Sequence, residues 1–209
     1  NILAALQDNV TVGGPFGEVQ NIVTNFTFPT VGPSLGGSLS AFNFGRGIVA
    51  AEDELGKLLF FAAVDLNGNF LKLFNPSGVL LPGGAGISAD PKCKPQIMKV
   101  PGSVAKYYVF SKDATGNLQY TLVDMGTGNV VAGSSAVVLP GGVVGSNFAV
   151  VESNVNKLNS KLFATQNNAG TTDVMAYDVS EATGITGPVK FASATGITCT
   201  DISGEGELA

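Results

Sequence analysis

Carboxylates are the side chains in this sequence most suited to chemistry. Glu205 and Glu207 alternate along a predicted strand, which puts both on one face, and paired carboxylates at suitable spacing cleave glycosides. Glu52-Asp53-Glu54 is the densest charge run. Three adjacent carboxylates can hold a cation or act as an acid/base pair, and at a predicted strand-to-strand turn they also serve as ordinary solvated charge. Asp65-Leu66-Asn67-Gly68-Asn69 sets hard oxygens at alternate positions (Asp65, Asn67 and Asn69), as the opening of a Ca2+ loop does. The bidentate Glu at the end of such a loop is missing, with Pro76 in its place, and a hairpin turn explains the same letters. Tyr107, Tyr108, Tyr120 and Tyr177 fall on predicted strands, where rings either stack on sugars or pack between sheets. Tyr107 and Tyr108 are adjacent, so one points to each side. Asn9-Val10-Thr11 and Asn25-Phe26-Thr27 have the form of glycosylation sequons.

The residue types that are missing narrow the chemistry further. The 209 residues include no His, no Trp and one Arg, Arg46. Without His there is no Ser-His or Cys-His nucleophile pair and no His metal site. One Arg cannot form the cluster that grips phosphate or sulfate. A net charge of -5 with so little Arg suits neither DNA nor RNA, whose binding begins with phosphate neutralisation. No cofactor is expected. The longest apolar run, residues 58–64, is strand length and well short of the ~18 residues of a membrane span. Cys93 and Cys199 are far apart. Bridged, they would close a long loop worth ~4 kcal/mol in the chain-entropy model, and two buried thiols fit the sequence equally well.

The elements that would position these residues are short apolar runs separated by Gly, Asn, Pro and Asp, an all-β signature. Only residues 1–8 have the pattern of a turn or two of helix. Three segments repeat, starting at Lys57, Lys106 and Lys161, with spacings of 49 and 55 residues. Asn67-Gly68, Thr115-Gly116 and Ala169-Gly170 occupy matching first turns, where Gly is expected to supply a positive φ. Ser77-Gly78, Thr127-Gly128 and Thr183-Gly184 occupy matching second turns. After the second turn a short last strand is expected. A further strand precedes each segment, at residues 47–52, 96–100 and 148–152. Each unit therefore reads as four antiparallel strands, the blade of a β-propeller with its first strand innermost.

The fold expected is all-β, with β-propeller-type four-stranded antiparallel blades at residues 46–94, 95–146 and 147–198. Residues 199–209 begin a fourth blade, and residues 1–45 form a Pro- and Phe-bearing extended strap. Three blades do not close a ring, so the ring is expected to be incomplete in this chain, which is read as a processed form or fragment. A Greek-key β-sandwich with an accidental repeat is the alternative.

Residues 45–209 resemble the repeat regions of large secreted, cell-surface proteins of Bacteroidota, of the sorting-domain or gliding-motility-associated type. The resemblance rests on Lys106-Tyr107-Tyr108-Val109-Phe110 and on Tyr120-Thr121-Leu122-Val123-Asp124-Met125. It rests also on Asn67-Gly68-Asn69 and on Gly204-Glu205-Gly206-Glu207-Leu208-Ala209. It implies a surface-exposed, non-catalytic module for adhesion or extracellular assembly. Its partners would be the rest of a longer chain or other subunits that complete the propeller. A subunit of an extracellular filament, a glycan-binding module using the Tyr residues and a carboxylate-based glycan hydrolase are the alternatives.

Overall fold

A computed structural model describes residues 44–145, 148–152, 158–168 and 170–195. Residues 1–43 of the strap, the sequons at Asn9 and Asn25, Cys199, Glu205, Glu207 and the start of a fourth blade lie outside the described residues, while the strap's last two residues, Phe44 and Gly45, open the first strand. Among the described residues every regular element is a strand. The first sheet pairs β1 (Phe44–Glu52), β2 (Leu58–Asp65), β3 (Phe70–Phe74) and β4 (Ile87–Ser88) in chain order. The second pairs β5 (Gln96–Lys99), β6 (Lys106–Lys112), β7 (Asn117–Asp124) and β8 (Asn129–Val130), and β9 (Val137–Val143) also pairs with β7. The third pairs β10 (Phe148–Glu152), β11 (Asn159–Asn168), β12 (Thr171–Ser180) and β13 (Gly184–Thr195). All pairings are antiparallel.

Three local expectations are corrected. The second sheet has a fifth strand. Its β8 covers only Val123 and Asp124 of β7, so the other half of β7 is left for β9, which pairs at Asn117, Gln119 and Tyr120. The last strand is short in the first two sheets, at 2 residues each, but β13 runs for 12 residues along nearly all of β12. The glycines of the second turns all take positive φ, with Gly78 at 75°, Gly128 at 72° and Gly184 at 67°. In the first hairpin, however, Asn69 rather than Gly68 takes the left-handed conformation, at φ 55°, which Asn tolerates better than most residues.

The sheets stack face to face in chain order. Phe60, Ala62, Val64, Leu71 and Leu73 of the first sheet meet Tyr107, Val109 and Val123 of the second. Met98, Tyr108 and Phe110 on the opposite face of the second sheet meet Phe148, Leu162, Tyr177 and Val179 of the third. Strand β6 thus feeds two cores by strict alternation. Large side chains such as Phe60, Leu71 and Leu73 are fully buried, each worth about 1.5–3 kcal/mol of hydrophobic stabilisation. The first strands are neighbours, β1 beside β5 and β5 beside β10.

Candidate functional site

A cleft of about 980 Å³ opens where β1, β5 and β10 end together. Three loops or strand ends build it. The β1–β2 turn carries Asp53, whose Oδ1 accepts the backbone N–H groups of Leu55 and Lys57, both at 2.9 Å. That cap fixes the turn and projects Glu54 and Leu55 outward. The β5–β6 connection is fixed in a similar way: Ser103 Oγ accepts Lys106 N at 3.0 Å and Ala105 N at 3.3 Å. From the third sheet, Glu152 ends β10, and its Oε1 accepts the N–H of Lys99 on β5 at 3.3 Å.

The floor holds Tyr107. It is 6% exposed, its ring meets Phe60 edge-on at 5.5 Å, and it lines the cleft. Its hydroxyl makes no hydrogen bond to the described residues. No fully enclosed side-chain polar atom among them lacks a partner, so this hydroxyl faces the open volume. Burial raises its pKa above the ordinary value of 10.0, and the carboxylates of Asp53, Glu152 and Glu54 raise it further. Among the described residues the charged lining is Glu52, Asp53, Glu54, Glu152 and Lys99, which together are net negative. Leu55 and Val104, 94% and 90% exposed, form apolar lips, and Leu59, Ile97 and Met125 line the walls.

Two features that are separate in the sequence, the Glu52-Asp53-Glu54 run and Tyr107, therefore meet at one cleft. Glu152 belongs to no charge run or motif, although the repeat contains the signal: Glu52 and Glu152 each close the first strand of their sheet, and Lys99 closes the same strand of the middle one.

The other candidates lie elsewhere. Asp65, Asn67 and Asn69 sit in or beside the β2–β3 hairpin. There the Asp65 carboxylate pairs with Lys72 Nζ at 2.7 Å and accepts Asn67 N at 3.1 Å. Among the described residues no group of three or more His, Cys, Asp or Glu is placed to hold a metal ion. Tyr108 and Tyr120 meet edge-on at 5.3 Å in the core between the second and third sheets. Tyr177 donates its hydroxyl to the Pro140 carbonyl at 2.7 Å. Cys93 is buried and forms no disulfide among the described residues. Its Sγ accepts Lys112 N at 3.2 Å, and burial pushes its thiol pKa up to about 11.

No family model matches the chain, and no curated protein matches it. Among solved structures, a crystal structure of puromycin hydrolase is similar at a TM-score of 0.44 and 12% identity, over 74% of this chain and 26% of that one. This chain thus spans about a quarter of that protein's length, and a likeness at this level assigns it neither activity nor ligand.

Proposed function

We propose that this chain is a non-catalytic interaction module of β-propeller-type blades, acting in adhesion or assembly at the cell surface or outside the cell. One observation carries the reading. In the first two sheets the face toward the next sheet is buried by it. On the third sheet, described residues of the corresponding face are exposed: Phe191 is 66% exposed, Val189 64% and Val151 36%. Phe163 lies on that face too, edge-on to Phe191 at 5.5 Å. Exposed apolar faces of this kind are docking surfaces.

The occupant we assign is the same face of a second copy. The outer face of the first sheet cannot serve, because Ile48, Phe61 and Phe74 there are already buried. Two such faces related by a two-fold axis would cover each other's apolar residues in a closed pair. Light scattering after size exclusion tests this. The chain should self-associate as concentration rises, and Phe191→Ser with Val189→Ser should leave it monomeric, with its melting temperature at low concentration little changed. A monomer at every concentration refutes the pairing.

A further inference from the structure

The cleft at the ends of β1, β5 and β10 holds a polar group that the fold leaves unused. Tyr107 is more than nine-tenths buried, yet its hydroxyl opens into the cleft without a hydrogen bond from the described residues. The ring is buried against Phe60 while the hydroxyl stays accessible from the cleft, so a group bound there can pair with it. Among the described residues, four carboxylates (Glu52, Asp53, Glu54 and Glu152) and the cation Lys99 line that cleft. Carboxylates only accept hydrogen bonds, and a phenol oxygen accepts as well as donates. The surroundings therefore favour a ligand rich in N–H donors and positive charge, and repel anions.

A bare metal ion fits poorly, since no described cluster of three or more ligating side chains is placed to hold one. The apolar lining calls for something else: Leu55 of the β1–β2 turn and Val104 of the β5–β6 connection stand almost fully exposed, and Ile97 and Met125 also line the cleft. A volume of about 980 Å³ lies at the upper end of the range for small-molecule sites.

We infer that this cleft binds an organic cation, a primary ammonium on an aliphatic stem, with the ammonium between Tyr107 and the Glu54 and Glu152 carboxylates and the stem against Leu55 and Val104. The site belongs to a single chain and does not depend on how the third sheet is covered.

Hexylammonium is the first probe, titrated into the 209-residue chain by calorimetry and by amide chemical shifts, with hexanoate and Ca2+ as comparators. Nα-acetyl-lysine amide is the second probe and separates the two sources of such a group. Uptake of hexylammonium alone identifies a free amine, and uptake of both identifies a lysine side chain of a peptide. In either case the shifts should localise to Leu55, Gly102 and Val104, and added salt should weaken binding. Tyr107→Phe keeps the ring against Phe60 and removes only the hydroxyl, and it should weaken uptake about tenfold. Glu54→Gln, on an exposed turn, should weaken it about threefold. Hexanoate binding as well as hexylammonium overturns the inference. So does binding of Ca2+ alone, or unchanged uptake in both folded variants, whose folding circular dichroism checks.

Discussion

Lys112 and Asp90 form an ion pair at 3.0 Å between the end of β6 and the segment leading into β5. The Lys112 side chain is 8% exposed, and its Nζ also donates to the Gly145 carbonyl at 3.1 Å, just before β10. One ammonium thus ties together the entries to the second and third sheets. Lys112→Met keeps the length of the stem and removes the charge. We expect it to cost about 2 kcal/mol, less than a fully buried pair because Asp90 retains some water. Chemical denaturation should show a lower midpoint at unchanged slope.

The stacked cores and the open face should respond very differently to truncation. Phe60 has no exposed surface and meets Tyr107 edge-on. Phe60→Ala should therefore cost about 3–5 kcal/mol. Phe191, on the open face, should lose no more than about 0.5 kcal/mol on the same change in the monomer. Thermal melts of both variants at low concentration check the contrast.

Much of this architecture can be read in the sequence. The strands at residues 96–100 and 148–152 could be placed because a run of apolar residues precedes each repeated Lys segment, and β10 has the expected limits. The second turns were legible because their glycines take conformations closed to most residues. The fifth strand of the second sheet was not legible. Val137 to Val143 reads Val-Val-Leu-Pro-Gly-Gly-Val, and Pro with Gly argues against a strand by local propensity. It forms on a sheet edge because the short β8 leaves half of β7 unpaired. The cleft was half legible. The carboxylate run and Tyr107 stood out by type, but only the stacking of sheets brings residues about fifty apart in sequence to one end of the fold.

Alkaline pH should unfold the protein from its interior. Burial raises the pKa of Tyr107, Tyr108 and Tyr177 above 10.0, and that of Cys93 from 9.0 to about 11. For each group the folded state holds the proton more tightly than the unfolded chain. The stability this contributes is complete below the unfolded pKa and is lost as pH rises through the folded one. Melting temperature should hold steady up to pH 9 and then fall steadily through pH 11. In a Cys199→Ser background, Cys93→Ala should delay the onset of that fall.

Acid should act on the third sheet. Asp173 accepts Ser193 Oγ at 2.6 Å, Lys190 Nζ at 2.9 Å and Asn168 Nδ2 at 3.0 Å, which hold its carboxyl at about 2. The depressed value means a contribution present above the ordinary 3.8 and lost as pH falls through about 2. Asp173→Asn should lower the melting temperature at pH 7 and flatten its dependence on pH between 4 and 2. An unchanged acid limb would show that the contacts to β13 carry no weight.

Gly141 sits where β9 leans on β13, at φ 121°. A methyl added there would come within 2.7 Å of the Tyr177 hydroxyl and 2.9 Å of Pro188 Cγ, and the Gly141 carbonyl accepts Gln166 Nε2 at 2.5 Å. Strand β9 is therefore a shared seam, hydrogen-bonded into the second sheet and clamped to the third. Opening the outer edge of either sheet breaks contacts made to the other. In native-state hydrogen exchange the amides of β7 and β12 should report one common opening event, so these two layers form a single cooperative folding unit.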